Sequence, residues 1–200
     1  MDNIELDFCV RNFKRTGDNS FFEKIYKHFF PKILRFTALN VNEVQNAEDI
    51  ASEVFIKAYS YIRKLNLNAV NLKPWLYKVA RNLVIDFYRK EARKGGKISL
   101  DQYLEEKSAA DHINEETIDK ALVFEKDLDF EFNQVGEEKI INAELLKNLS
   151  TLTEIQKQVI ILRFVEDLDH KSIGRIVNKN EIAVRAISFR AISKLRQLKK

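Results

Sequence analysis

The chain has 200 residues, 45% of them hydrophobic, with five glycines, two prolines, one cysteine and a formal net charge of +4. This composition excludes a disordered chain and a disulfide framework, and the abundance of Lys, Glu, Leu, Ile and Ala favours helices over strands. The opening run MDNIELDFCV lacks the basic, apolar character of a signal peptide, and no apolar run approaches the roughly 18 residues that a membrane span requires. We therefore expect a soluble, cytoplasmic protein without membrane insertion.

The charge is distributed unevenly along the chain. Residues 1–100 hold 18 basic and 11 acidic side chains, residues 101–138 hold 3 and 13, and residues 139–200 hold 13 and 6. Basic modules indicate nucleic-acid binding, and an acidic middle of this size is more often a solvated linker than a core element. The pattern predicts two basic modules on either side of an acidic linker.

The first module begins with a predicted helix over residues 20–40, in which large apolar residues recur at helical spacing. Pro31 should start a new helix there or kink this one. A second helix is predicted over 46–63, with Asn46 as its N-cap. Its inward stripe is Ile50, Val54, Ala58 and Ile62.

A polar break is expected at residues 64–72, followed by a third helix that begins near Pro74, which suits a first helical turn. This helix should end before Gly95 and Gly96. Its expected inward stripe is Trp75, Leu76, Val79, Leu83 and Phe87. We expect Trp75 and Tyr77 to lie in the core.

Residues 97–138 are the predicted linker, with partial or conditional order at most. The second module is predicted to contain four helices, at 139–149, 153–165, 169–177 and 181–198. The fold class is therefore all-α: two small helical domains, 1–96 and 139–200, joined by a flexible acidic linker.

The last two helices fit a helix-turn-helix. Gly174 should allow a close crossing of the two helices, Asn178 should adopt the left-handed conformation of the turn, and Asn180 should cap the final helix. The expected buried residues of that helix are Val184, Ile187, Ala191, Leu195 and Leu198. Its expected outer face is Glu181, Arg185, Ala186, Phe189, Arg190 and Arg196. A plain helical hairpin with a solvated charged face would show the same periodicity.

Three runs carry a resemblance to a known family. AEDIASEVFIKAY (47–59) resembles the polymerase-binding helix of sigma-70 factors, and LKPWLYKVARNLVIDFYRK (72–90) resembles their promoter-melting and minus-10-reading segment. LSTLTEIQKQVIILRF (149–164) with IGRIVNKNEIAVRAISFRAISKLR (173–196) is similar to their minus-35-reading domain. The short length and the missing intermediate domain resemble the extracytoplasmic function (ECF) group. Asn178 stands where the family usually has glycine, and Ile182 where it usually has a small residue.

The resemblance implies a sigma factor that binds core RNA polymerase and promoter DNA, and it leaves room for an anti-sigma factor as a further partner. Asp49, Glu53 and Lys57 share one stripe of the 46–63 helix, which would dock on the polymerase. By spacing alone, the same stripe is equally a solvated face with a Glu53–Lys57 pair. The family linker implies that the acidic segment threads the polymerase channel that later holds RNA.

The minus-10 surface would be the polar face of the third helix: Lys78, Asn82, Asp86, Arg89 and Arg93. A mid-helix Asn82 on a basic face is otherwise an ordinary surface residue. The minus-35 surface would be Lys171, Asn180, Glu181, Arg185, Ala186, Phe189 and Arg190. Arg185 is placed to hold guanine through two hydrogen bonds, unless it merely pairs with Glu181. Lys171 and Arg190 suit phosphates.

Catalysis is not expected. Glu48, Asp49 and Glu53 could in principle bind magnesium, but no histidine or lysine accompanies them at the spacing of a catalytic motif. The sequence predicts no cofactor and no metal. Two other classes stay open: an autonomous helix-turn-helix regulator, which leaves the N-terminal half unexplained, and a helical adaptor that binds proteins only.

Overall fold

The computed structural model describes residues 1–41, 43–64, 69–93 and 143–197. The chain divides into two compact units, Met1–Lys94 and Gly95–Lys200. Helices are the only regular structure of the described residues, in agreement with the predicted all-α class. The predicted linker at 97–138 lies outside the described residues, so its boundaries stay a prediction.

The first unit begins with a helix that the sequence analysis did not predict, α1 (Asn3–Thr16). Its first turn is capped by Asp2, whose Oδ1 accepts a hydrogen bond of 2.7 Å from the Glu5 amide. Gly17 ends the helix at φ +74°, a conformation that glycine adopts without strain. The signal was present in the sequence as an apolar stripe at helical spacing: Leu6, Cys9, Val10 and Phe13.

The second helix, α2 (Asn19–Asn40), confirms the predicted helix over 20–40. It is continuous through Pro31, which does not start a new helix. A proline in a helix interior removes one hydrogen bond and crowds the preceding turn. The helix continues because it is anchored in the core on both sides of Pro31. Its buried residues are Ile25, Phe29, Ile33, Phe36, Thr37, Leu39 and Asn40.

The third helix, α3 (Val44–Ile62), buries the predicted stripe, but the predicted N-cap is wrong. Glu43 precedes the helix, and Asn46 lies within its first turn, where its Nδ2 donates to Glu43 Oε2 at 2.8 Å. The reason is tertiary: Ala47 is fully buried, and its amide donates to the Glu43 carbonyl, so helical geometry extends upstream of Asn46.

The fourth helix, α4 (Ala69–Arg93), begins five residues before the predicted start at Pro74. The predicted polar break over 64–72 is therefore wrong for its last four residues. Leu72 is fully buried, which draws the segment into the helical core. Pro74 has no N–H to donate to the Val70 carbonyl one turn earlier. Val70 is 78% exposed, so water can replace the hydrogen bond that Pro74 removes.

The buried side of α4 also differs from the prediction. Leu76 is buried as expected, whereas Trp75, Val79, Leu83 and Phe87 are only half-buried. The buried side of α4 includes Tyr77 and not Trp75. The helix is therefore rotated about its own axis relative to the prediction. The buried side chains of α4 are Leu72, Leu76, Tyr77, Ala80, Arg81, Val84, Ile85 and Tyr88.

Two buried hydrogen bonds tie the helices of the first unit together. The Thr37 hydroxyl of α2 donates to the Ala47 carbonyl of α3 at 3.0 Å, and the Tyr88 hydroxyl of α4 donates to the Asn40 carbonyl at 2.7 Å. Asn40 is the last residue of α2, where carbonyls have no intrahelical partner, so the bond from Tyr88 satisfies a group that would be costly to bury alone. The two hydrogen bonds fix α3 and α4 against the same end of α2.

The second unit contains α5 (Ala143–Ser150), α6 (Glu154–Ile160), α7 (His170–Val177) and α8 (Glu181–Gln197). A capping box joins Thr153 and Gln156 at the start of α6. The chain continues from α6 into a π-helical turn, Ile161–Val165, so the predicted helix over 153–165 is confirmed with a wider last turn. Residues 139–142 of the first predicted helix lie outside the described residues.

Candidate nucleic-acid interface

The turn between α7 and α8 has the local features that the sequence predicted. Asn178 ends α7 at φ 57° and ψ 45°, the left-handed conformation. Asn180 caps α8, since its Oδ1 accepts the Ala183 amide at 2.7 Å. At the other end of α7, Asp169 Oδ1 accepts the Ser172 amide at 2.7 Å, and the hydrogen bonds from Ser172 lower the pKa of Asp169. The start of α8 is therefore set by the Asn180 cap.

Gly174 explains how the turn closes so tightly. A Cβ at this position would lie 2.6 Å from the carbonyl oxygen of Lys179. The Lys179 amide also donates a hydrogen bond of 3.0 Å to the Gly174 carbonyl. The close approach is therefore between α7 and the turn backbone, and not between two crossing helices as predicted.

The outer face of α8 differs in part from the predicted one. Its solvent-facing stripe is spaced by 3, 4, 4 and 3 residues, which keeps side chains on one side of a helix. The stripe consists of the exposed Ile182 and the half-buried Arg185, Phe189, Ser193 and Arg196, and Glu181, predicted on this face, is exposed as well. Ala186, predicted on this face, is only 4% exposed, because α8 packs against both α6 and α7 and buries a wider arc than one apolar stripe. Val184, Ile187 and Ala191 are buried as predicted, Leu195 is half-buried, and Leu198 lies outside the described residues.

The charged residues of this face are partly paired. The Arg185 guanidinium donates to Glu181 Oε1 at 2.8 Å, so the pairing alternative describes the DNA-free structure. A surface pair one helical turn apart is worth only about 0.2–0.5 kcal/mol, so DNA can displace it. Arg190 is half-buried and Lys171 is exposed. The sequence analysis did not predict Arg175 as part of this surface. It is exposed on α7 one turn after Lys171, and this i, i+4 spacing was visible in the sequence.

In the first unit, α3 presents Asp49 and Glu53 to solvent and Lys57 partly so. Lys57 Nζ lies 3.1 Å from Glu53 Oε1, which leaves Asp49 as the further acidic group of the stripe. Ile56, beside this stripe, is 67% exposed and was not singled out from the sequence. The stripe therefore combines acidic side chains with an adjacent apolar one.

The predicted minus-10 residues of α4 all lie at the surface. Lys78, Asn82, Asp86, Arg89 and Arg93 are exposed. Arg89 Nη1 lies 3.1 Å from Asp86 Oδ1, so the carboxylate of Asp86 is held beside a cation. The face is basic and carries one amide, that of Asn82.

An open groove between α3 and α4 brings these two surfaces together within the first unit. It has a volume of about 360 Å³ and is lined by Lys57, Tyr61, Trp75, Val79, Asn82, Leu83 and Asp86. The rings of Tyr61 and Trp75 lie with centroids 6.4 Å apart. Trp75 was expected in the core; it lines the groove because Leu76 and Tyr77 occupy the buried side of α4. The sequence analysis did not single out Tyr61, because Tyr61 lies on α3 and meets α4 only through tertiary packing.

The described residues contain no cluster of three or more His, Cys, Asp or Glu side chains arranged to hold a metal ion. Within the same part of the chain, no helix is both long enough and apolar enough to cross a membrane. His28 and His170 lie in different units and His112 lies outside the described residues.

Two family models match the chain. Sigma-70 region 2 matches residues 25–94, and sigma-70 region 4 matches residues 148–197. The first match contains α3, α4 and the groove between them, and the second contains the helix-turn-helix. The two models describe parts of the same family in the same order along one chain.

Curated relatives belong to the same family. The chain is 26% identical to the ECF RNA polymerase sigma factor BldN of Streptomyces coelicolor over 184 residues, which are 92% of this chain and 62% of that protein. It is 26% identical to the ECF sigma factor SigM of Bacillus subtilis over 88% of this chain and 93% of SigM. For SigW of the same bacterium, the identity is 28% over 82% of this chain and 81% of SigW. The match thus spans less than two thirds of BldN and most of the other two proteins.

Among solved structures, the chain resembles the sigma factor RpoE of Bartonella quintana, crystallised with the anti-sigma factor NepR. The TM-score is 0.62 at 19% identity, and the match covers 89% of this chain and 96% of RpoE. This likeness supports the fold. The two family models and the curated relatives identify the chain as a member of the sigma-70 family, in its ECF group.

Proposed function

We propose that this chain is a sigma subunit that binds core RNA polymerase and directs promoter-specific initiation of transcription. The observation that carries the proposal is the presence, in one chain, of both a region 2 unit with an open groove and a region 4 unit with a helix-turn-helix. The first would engage the polymerase and the melted minus-10 element, and the second the duplex minus-35 element. No catalytic reaction is assigned to the chain itself.

The proposal divides the chain into residues 1–96, a linker over 97–138 and residues 139–200. Core polymerase would bind the α3 stripe of Asp49, Glu53 and Lys57. Because polymerase and promoter DNA occupy the bacterial cytoplasm, we assign the chain to that compartment. An anti-sigma factor is a further proposed partner, by analogy with the solved RpoE complex.

The groove between α3 and α4 suits an unstacked base of the melted promoter. Single-stranded nucleic acid is held by aromatic side chains that stack on bases and by cations along its backbone. Tyr61 and Trp75 supply the rings, the exposed Lys78 one turn before Asn82 on α4 supplies a cation, and the Asn82 amide can donate to and accept from the edge of a base. Asn82 therefore has a specific proposed task that an ordinary surface asparagine lacks.

The alternative of an autonomous helix-turn-helix regulator is not favoured, because it gives no role to residues 25–94, which match sigma-70 region 2. The deciding experiment is a run-off transcription assay with core polymerase on a promoter library. A sigma factor yields transcripts only when core polymerase and the chain are both present. A regulator binds duplex DNA tightly alone and gives no such transcripts, and a protein adaptor does neither.

The base-capture role of the groove has its own test. Asn82→Ala should reduce permanganate reactivity of the melted region more than it reduces initial promoter binding. Asn12→Ala, at a helical asparagine on α1 away from the groove, is the matched control and should leave both unchanged. Normal melting by Asn82→Ala would remove Asn82 from the minus-10 surface.

A further inference from the structure

Ile182 is a large apolar side chain that takes no part in the core of the second unit. It is the second residue of α8 and is 54% exposed, whereas its neighbours Ala183 and Val184 are buried. Single exposed apolar residues are common on protein surfaces and need no explanation by themselves. The position of this one is what gives it meaning.

The cap at Asn180 fixes where α8 begins, and therefore where Ile182 projects. Ile182 shares its stripe with Arg185 and Phe189, at spacings of three and four residues. In a helix-turn-helix, the N-terminal residues of the second helix are the ones that reach base edges in the major groove. Ile182 thus lies in the first turn of the helix face that would enter the groove.

The major groove offers such a side chain one chemical match. The base pairs present hydrogen-bond donors and acceptors there, and the C5-methyl group of thymine is the apolar feature that distinguishes them. Isoleucine has no donor or acceptor in its side chain, so it cannot read a polar edge. A charged or polar edge opposite Ile182 would lose water without gaining a hydrogen bond.

We propose that Ile182 determines specificity by contacting the methyl group of a thymine in the minus-35 element. The proposal rests on the proposed function, since it requires α8 to lie in the major groove of promoter DNA. Three residues of helix rise about 4.5 Å and one base pair about 3.4 Å, so this thymine lies one or two base pairs from the base that Arg185 contacts.

The test removes the methyl group alone. A promoter selection with the holoenzyme first identifies the preferred minus-35 element. Each thymine on both strands is then replaced by deoxyuridine, one at a time, and holoenzyme binding is measured for each duplex. Loss of one methyl contact corresponds to about a fourfold weaker affinity, the equivalent of one buried methylene.

We expect one or two positions at which uracil weakens binding of the unaltered holoenzyme about fourfold. Ile182→Ala should abolish this discrimination at those positions, and Ile182→Val, which keeps a branched apolar side chain, should retain most of it. The matched control is Ile4→Ala, because Ile4 is also an exposed isoleucine at the second residue of a helix, in the first unit. That variant should discriminate as the unaltered chain does.

Two outcomes overturn the proposal while leaving the proposed function intact. In one, uracil has no effect at any position although the holoenzyme selects a minus-35 element. In the other, Ile182→Ala weakens binding but keeps the uracil effect, which makes Ile182 a general contact. If the chain directs no promoter-dependent transcription at all, the proposed function itself fails.

Discussion

Gly174→Ala tests whether the tight turn before α8 is what aims the recognition helix. The added Cβ would lie 2.6 Å from the Lys179 carbonyl oxygen, where ordinary contacts begin at 3.4 Å and real ones almost never fall below 3.0 Å. The turn must therefore move by about 0.4–0.8 Å, because the opposing atom belongs to the backbone and cannot rotate away.

Opposing effects decide the stability of the Gly174→Ala variant. Alanine is favoured over glycine inside a helix by about 1 kcal/mol. Overpacking costs about 1–3 kcal/mol, and weakening the 3.0 Å hydrogen bond from the Lys179 amide to the Gly174 carbonyl costs about 0.5–1.5 kcal/mol more. The variant should therefore lose about 0.5–3.5 kcal/mol of unfolding free energy in the second unit, together with selectivity for the minus-35 element.

The assay is denaturant unfolding of the full chain followed by circular dichroism, combined with run-off transcription at promoters with and without a minus-35 element. Asn178→Gly is the control in the same turn. It suits the left-handed conformation at φ 57° and adds no atom, so promoter selectivity should persist. A Gly174→Ala chain that is as stable as the unaltered one, or more so, would refute the reasoning, because helix propensity alone predicts a gain.

Three further predictions concern other parts of the chain. Reversing charge at Asp49 and Glu53 should weaken core polymerase binding in a pull-down titration, while the same reversal at Glu23, an exposed acid on α2, should not; equal affinities would remove the α3 stripe from the interface. Arg185→Ala should cost about 1–3 kcal/mol of promoter affinity and relax the preference at one base pair of the selected minus-35 element. It should cost at most about 0.5 kcal/mol of stability, because only the surface pair with Glu181 is lost. An unchanged selected sequence would argue against base reading by Arg185. Burial, with the Lys32 ammonium nearby, lowers the pKa of His28 from 6.5 to about 4. The unfolded chain therefore takes up a proton before the folded one, and unfolding free energy should fall by about 1 kcal/mol, after solvent screening, as pH drops from 6.5 to 4. NMR titration of His28 measures this directly, and an ordinary pKa would contradict it.

Local sequence determined the features that depend on a few consecutive residues. Asn178 sets the turn because asparagine tolerates the left-handed conformation, and Asn180 sets the cap because its Oδ1 accepts the Ala183 amide three residues on. The four-residue recurrence in α3 likewise identified its buried stripe. The sigma-70 assignment followed from three local runs, and their order along the chain was part of the sequence itself.

Tertiary packing decided the features that depend on what a helix meets. Burial of Leu72 and Ala47 extended α4 and α3 beyond the starts that local signals predicted. Packing of α8 against two helices buried Ala186, which one helical period alone had placed outside.

The groove between α3 and α4 is the clearest case. Tyr61 and Trp75 are 14 positions apart in sequence on separate helices, and the rotation of α4 about its axis decides that they meet. A periodic pattern reports that a helix has an apolar side, but half-buried and buried positions differ by only a fraction of a turn. That fraction is set by the shapes of the neighbouring helices, which no local pattern contains.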